Sequence, residues 1–402
     1  MTEDVLSGTM ADMKLQGVGK NGGFFSDLTK GIFCARPNRF VVECKVNQRK
    51  VRAYMPNPGR LWELLFPGSI LYLVRHNVSY PGNTAFTVVA VERDGLPVML
   101  HTHVNNLVAR RLIEQGKVPG LEGSAVVRQE VTIGSSRFDF LLNKTGLEYI
   151  VEVKSCTLAG NAIAMFPDAM TSRGTKHLLE LANIGRERKN VAVLFLVHWP
   201  RARFFMPDYH TDLVFSRALL AAKDTVMLKA LSVEWNRDLS IGDVRDLEIP
   251  WDVLEREVHD QGSYIIVLRL QQDRQVSIGG LGQINFRRGY YLYVGSARAY
   301  LSKRIERHQR ILKKLFWHID YLRAVSDFRV ALPIRTAGDI ECEVAAALRD
   351  IAEWRISYFG STDCSCNSHL FGMSDDPIHQ RSFIRLLQYF RMDRLEAFMR
   401  KR

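Results

Sequence analysis

The stretch SRFDFLLNKTGLEYIVEVKS, residues 136–155, constrains this chain more than any other. Two runs of β-branched and aromatic residues flank Asn143-Lys144-Thr145-Gly146, a group of turn formers, so a β-hairpin is expected. If Leu142 pairs with Leu147, Asp139 faces Ile150. Side chains alternate along a strand, so Ile150, Glu152 and Lys154 then share a face with Asp139. Asp139 and Glu152 become diagonal neighbours about 7–8 Å apart at the backbone. Charges on strands this apolar need a chemical reason, because an unpaired buried charge is costly. Hard oxygen ligands suit Mg²⁺ or Mn²⁺, with waters completing the shell. Such a cation polarises a phosphate and lowers the pKa of an attacking water. Lys154 would hold that water or offset charge on a phosphorane-like transition state. On a solvated strand face the same three residues would be an ion-pair cluster only.

At 402 residues the chain is too long for one core, so two or three domains are expected. Hydrophobic residues at 47% and charged residues at 24% fit a globular protein and neither a disordered nor a membrane class. No run of 18 apolar residues exists, so no membrane partner is expected. Glu3 and Asp4 stand where a secretory signal would be basic and then apolar. The six cysteines (Cys34, Cys44, Cys156, Cys342, Cys364, Cys366) are scattered except for one close pair. That spacing argues against a disulfide framework or a disulfide-linked partner, and fits a reducing cytoplasm. A net charge of +12 and a pI near 9.5 point to a polyanionic partner, DNA or RNA.

Along the chain, residues 1–29 contain GVGKNGG with little periodicity and read as a mobile arm. Short β-like runs (FVVECKV, VRAYM, ILYLV, FTVVAV, VML) separated by turn signals predict a small barrel over 30–105. A helix over about His103 to Gln115 follows, with Val104, Leu107, Val108 and Leu112 at helical spacing. Residues 106–238 read as a mixed α/β domain, with helices near 172–186 and 212–222. The charged interval 239–257 lacks an apolar period and reads as a linker. A second α/β unit spans 258–375, and 376–402 reads as a basic helical tail.

An acid, twelve residues, then Glu-x-Lys resembles the PD-(D/E)xK nuclease superfamily, with Phe138 where the superfamily label has Pro. Residues from about 30 to 236 resemble the SfsA family. Arg36-Pro37-Asn38-Arg39-Phe40, PNPGRLWELLFPG, SRFDF, VEVKSCTL and the long run FPDAMTSRGTKHLLEL carry that resemblance. It implies an OB-fold-like domain, a restriction-enzyme-like domain, nucleic-acid binding, and a nuclease site at Asp139, Glu152 and Lys154 with Asp139 and Glu152 on the metal. In the long run, Thr171 or Ser172 can cap a helix whose first turns hold Arg173, Lys176 and His177. Backbone donors and an Arg at such a helix start form a phosphate cradle. Arg39, Asn57 and Arg60 are candidate backbone contacts from the barrel.

Gly262-Ser263-Tyr264, then Tyr293-Val294-Gly295 and a helix with Arg304, Arg307 and His308, resemble a GIY-YIG nuclease domain. WHIDYL and TDCSCNSHLF match an uncharacterised GIY-YIG-like family, sometimes attached to endonuclease III, over about 258–373. The resemblance implies catalytic roles for Tyr264, Tyr293, Arg304 and a metal-bound Glu341 or Glu343. Ser263 replaces the central Ile, and 28 residues lie between the two tyrosines, well beyond the usual spacing. DNA binding without cleavage is therefore an equal expectation for this domain. Cys364-x-Cys366-x-x-His369 offers three close ligands where tetrahedral zinc takes four, so a core packing motif is expected. His318 or Cys342 could complete the set. The whole reads as a metal-dependent nuclease or, with a vestigial site, a nucleic-acid-binding regulator linked to sugar metabolism.

Overall fold

A computed structural model describes residues 23–80, 84–187 and 189–400. Most of the expected N-terminal arm lies outside the described residues. Six strands open the chain: β1 (Thr29–Asn38), β2 (Val41–Val46), β3 (Arg49–Tyr54), β4 (Ile70–Tyr80), β5 (Thr84–Arg93) and β6 (Leu96–Met99). Pairing runs β3-β2-β1-β4-β5, and β3 closes on β5, giving a five-stranded OB-like barrel with β6 added to β5. Alternation sets this shape: Val42, Cys44 and Val46 of β2 point inward while the residues between them are more exposed.

Helix α1 (Asn105–Glu114) buries Val108, Ala109, Leu112 and Ile113, whereas Leu107 faces out. Then come β7 (Ala125–Ile133), β8 (Ser136–Lys144), β9 (Leu147–Cys156), β10 (Ile163–Phe166), α2 (Ser172–Arg186), β11 (Asn190–Val197), β12 (Phe204–Pro207), α3 (Leu213–Ala222), β13 (Met227–Trp235) and β14 (Ile241–Asp246). A mixed sheet runs β14-β13-β11-β9-β8-β7, with β9, β11 and β13 parallel. The parallel strand β11 is apolar and buried from Val191 to Val197, as a strand covered on both faces must be.

Two compact units result. Among the described residues, the first lies within 23–157, 189–202 and 227–247; the second lies within 158–187, 203–226 and 248–400. In the first, one core joins Tyr72 and Met99 of the barrel to the buried face of α1 and to Phe140, Leu142, Val151, Val153, Leu194, Leu196 and Val233 of the sheet.

In the second unit β10 pairs with β12, and α2 packs on α3. The interval expected as a linker holds β14, a charged strand on the sheet edge of the first unit, and α4 (Trp251–Glu257) of the second. Its apolar residues are too sparse for a period because an edge strand buries little. The rest of the second unit is β15 (Gly262–Leu270), β16 (Arg274–Ser277), β17 (Gln283–Phe286), β18 (Gly289–Ala297), α5 (Leu301–Gln309), α6 (His318–Arg323), β19 (Asp327–Arg335), α7 (Glu341–Ile351), β20 (Trp354–Arg355), β21 (Leu370–Met373), α8 (Arg381–Gln388) and α9 (Arg394–Met399). An antiparallel sheet runs β19-β15-β18-β21-β20. The last residues are helical, with a π-helical turn over Tyr389–Asp393. They pack as core, since Met392, Leu395 and Met399 join Ile163, Met165, Phe204 and Leu254. Buried His210 ties these segments together: its Nδ1 accepts from Arg335 N at 2.9 Å and its Nε2 donates to Arg391 O at 2.9 Å.

Candidate active site

The β8–β9 hairpin closes through a two-residue turn, Thr145 and Gly146, with Lys144 opposite Leu147 and Phe140 opposite Val151. Both turn residues have positive φ (51° and 87°), as a turn matched to the twist of the strands requires. The pairing thus differs by two residues from the expected Leu142–Leu147 register. A slip of two preserves which face each side chain takes. One step beyond the last pair, Asp139 comes opposite Glu152 rather than diagonal to it.

Three side chains meet there. Lys154 Nζ lies 2.5 Å from Glu152 Oε1, and Glu152 is only 4% exposed. Asp139 Oδ2 accepts from Val153 N at 2.7 Å, and its Oδ1 accepts from Asn106 Nδ2 at 2.8 Å. Burial and then the Glu152 charge push the Asp139 carboxyl above the usual range, against the pull of those two donors and of Lys154. Asn106 has no sequence signal beyond its place at the start of α1, where HVNN precedes the apolar face. Beside it Asn105 Oδ1 meets buried His198 Nε2 at 3.0 Å, and His198 Nδ1 accepts from Trp235 Nε1 at 3.2 Å. Burial lowers His198 to about 3, so the ring is neutral and serves as a pin between α1 and the sheet.

The expected phosphate contacts fare unevenly. Asn57 is buried, and its Oδ1 accepts from Gly59 N at 2.9 Å, which makes it a turn residue. Arg36 organises that loop by donating to the carbonyls of Arg39, Asn57, Gly59 and Arg60. The side chains of Arg39 and Arg60 lie over the rings of Phe40 and Trp62. In the second unit Thr171, not Ser172, caps α2, its hydroxyl accepting from Gly174 N at 3.1 Å. Arg173 Nε donates towards His177 Nε2 at 3.5 Å, and Lys176 sits 3.8 Å from Glu180. His177 is buried, so it is a packing residue and not a surface contact.

In the C-terminal sheet, Tyr264 pairs with Gly295 and Ile266 with Tyr293, so both tyrosines take one face. The long gap between them is an inserted hairpin, β16–β17, which leaves the register of β15 and β18 intact. A Cβ on Gly295 would stand 2.4 Å from Tyr264 Oη, so only glycine admits that ring. Tyr264 Oη meets His308 Nε2 at 3.0 Å, and Arg304 donates to Ser296 O at 2.6 Å. Burial raises Tyr264 and Tyr293 well above the usual phenol range, with Glu341 adding to the rise and Arg304 opposing it. Glu341 also accepts from Ser296 Oγ and lies 2.9 Å from His369 Nδ1. Glu341 is thus the acid gathered with the tyrosines and Arg304, while Glu343 is exposed. His308 is buried and Arg307 is bound to Asp320 at 3.0 and 3.1 Å. His308 thus lies in the interior of this domain, while Arg307 is half-buried with its guanidinium held by Asp320.

Known proteins match all three parts of this architecture. The family descriptions "SfsA N-terminal OB domain", "Sugar fermentation stimulation protein RE domain" and "Domain of unknown function DUF123", the GIY-YIG-like family, match residues 34–100, 103–238 and 263–392. A sugar fermentation stimulation protein homolog from Methanothermobacter thermautotrophicus is 36% identical over 225 residues, 55% of this chain and 93% of that protein. A Chloroflexus aurantiacus homolog is 38% identical over 196 residues, 49% of this chain and 75% of that protein. The solved SfsA of Pyrococcus furiosus in complex with Ca²⁺ superposes with a TM-score of 0.52 at 30% identity, covering 56% of this chain and 96% of that one. Most of the barrel, strands β7–β9, β11 and β13 of the mixed sheet and the hairpin acids fall within the matched span, and the chain belongs to the sugar fermentation stimulation protein family.

Proposed function

We propose that the chain is a metal-dependent phosphodiester hydrolase acting on DNA or RNA, with Asp139 and Glu152 holding Mg²⁺ or Mn²⁺. The observation that carries this reading is the buried meeting of two carboxylates on adjacent strands with one ammonium at its edge. The donor set suits the ion: both acids offer hard oxygens, and burial and then the Glu152 charge raise Asp139, a cost that a cation offsets. The bound Ca²⁺ of the Pyrococcus relative supports a divalent cation in this family. When bound, the ion would activate water and polarise the phosphate.

The remaining work falls to the chain. Asn106 and Val153 N fix the direction of the Asp139 carboxylate. Lys154 stands beside Glu152, where it can hold a water or a phosphate oxygen and offset charge that develops on it. The net charge of +12 supplies the attraction for a polyanion.

Labelled single- and double-stranded DNA and RNA, incubated with Mg²⁺ or Mn²⁺, test this. Wild type should cleave and the Lys154→Ala variant should lose most of the rate. Undetectable wild-type turnover, or turnover that survives loss of both Glu152 and Arg304, would sink the nuclease reading. Salt-sensitive binding without cleavage would favour the regulator.

A further inference from the structure

Four soft ligands meet beside the C-terminal candidate site. The Sγ atoms of Cys342, Cys364 and Cys366 and a ring nitrogen of His369 all lie within 4.8 Å of one another. Zinc takes such donors at about 2.0–2.3 Å, which puts ligand atoms about 3.5–3.8 Å apart in a tetrahedron. Cys364 Sγ and His369 Nε2 already stand at 3.4 Å. The fourth ligand that the spacing Cys364-x-Cys366-x-x-His369 lacks is Cys342, in the first turn of α7 and 22 residues upstream. His318 does not fill that place: its Nδ1 accepts from Gly360 N at 3.2 Å.

We infer that Cys342, Cys364, Cys366 and His369 form a closed, structural zinc site.

Two further observations point to a ligand-ready cluster. His369 is 1% exposed, and its Nδ1 lies 2.9 Å from Glu341 Oε1. A carboxylate that close to Nδ1 favours the proton there and leaves the Nε2 lone pair for the sulfurs, as carboxylates beside metal-bound histidines do. Secondly, residues 356–369 connect β20 to β21 without regular structure of their own. Their middle is largely exposed, so little apolar burial fixes them. A metal that ties Cys364, Cys366 and His369 to α7 does so. Three thiolates with one imidazole, and no open position, are the donor set of structural zinc rather than of Mg²⁺ or Ca²⁺. On binding, the three thiols release their protons to solvent, and His369 ligates as the neutral ring.

The full chain, purified under reducing conditions without chelator, should carry one zinc by elemental analysis. Cobalt exchanged into it should give intense thiolate-to-cobalt charge-transfer bands and the visible spectrum of tetrahedral Co²⁺. An ion on Asp139 and Glu152 alone would have no thiolate band. The Cys364→Ser and His369→Ala variants should lose the zinc, while Cys34→Ser keeps it. Should the cluster variants fail to fold, stepwise titration of wild-type thiols with a mercurial must release the zinc as the cluster sulfurs react. The inference is overturned by wild type that takes up neither zinc nor cobalt, by iron or copper in place of zinc, by a disulfide within the cluster, or by Cys364→Ser that folds and retains its metal.

Discussion

The hairpin site and the helical charge cluster of the C-terminal domain both gather buried charge, yet they balance it in opposite ways. At the hairpin, Lys154 stands beside Glu152, and burial and then the Glu152 charge push Asp139 up. In the C-terminal domain, fully buried Asp320 takes Arg307 at 3.0 Å, Lys313 at 2.8 Å and the amides of Phe316 and Trp317. Burial alone would raise Asp320; the His308 ring 3.7 Å away and the donors of Arg307, Lys313 and Phe316 instead hold it far below the carboxylate range. An acid whose charged form is disfavoured is where a cation gains most, and an acid saturated by donors is scaffold.

The largest expected effect tests the scaffold half of that contrast. Asp320→Asn leaves Arg307, Lys313 and buried His308 facing a neutral amide, and should cost about 3–5 kcal/mol of stability in urea unfolding followed by fluorescence. The folded pKa of Asp320 lies below its unfolded value. Its stabilisation is therefore complete above the unfolded pKa of about 3.9 and is lost as the pH falls below that value towards the folded one. Wild type should lose this increment on acidification and the variant should not. A loss under about 1 kcal/mol, the range of a surface pair, would remove the distinction.

Next comes the hairpin half. Glu152→Gln should reduce metal-dependent cleavage by about 10²–10³-fold, the scale of one lost transition-state contact. Asp139 has the opposite sign from Asp320. Its raised folded pKa favours the fold while the group is protonated, and that favour is lost as pH rises through the folded pKa. Mg²⁺ should therefore raise the melting temperature of wild type at neutral pH and progressively less on acidification. Calorimetry that shows the same Mg²⁺ shift in Glu152→Gln would place the ion elsewhere.

Gly295→Ala is a smaller and steric test. Its Cβ would meet Tyr264 Oη at 2.4 Å, and overpacking a fixed core costs about 1–3 kcal/mol. Thermal melts should shift down while cleavage assigned to the hairpin is unchanged; a shared loss would show that the two sites act together.

Much of this architecture is written locally. Strand alternation announced the barrel, and the acids of the hairpin keep one face because their separation in sequence has the right parity, which survived an error of two in the register. The turn itself was ambiguous, since Asn143 also bonds within it: its Oδ1 accepts from Gly146 N at 3.1 Å. Contacts across long separations were not legible. Asn106 reaches Asp139 from 33 residues away, and His198 reaches Asn105 across 93. Neither carries a spacing that differs from an ordinary polar residue. The pairing of Arg307 on cationic helix α5 with buried Asp320 on the next helix, and the placement of His308 beside the same acid, likewise leave no trace in the spacing.

Asn106 offers the finest division between a site tuned for a cation and an ion-pair cluster. Its amide donates to Asp139 Oδ1 at 2.8 Å and pulls that carboxyl down against burial and Glu152. Asn106→Ala removes a donor that favours the charged form, so the Asp139 pKa should rise further and the acidic limb of the cleavage profile should move to higher pH. Loss of such an orienting partner typically weakens metal affinity by about 10–100-fold, so the Mg²⁺ concentration for half-maximal rate should rise on that scale while the rate at saturating Mg²⁺ falls little. An Asn106→Ser variant, which keeps a hydroxyl donor, should recover part of both shifts. A structural role alone would lower the melting temperature and leave the pH limb and the Mg²⁺ requirement where they were.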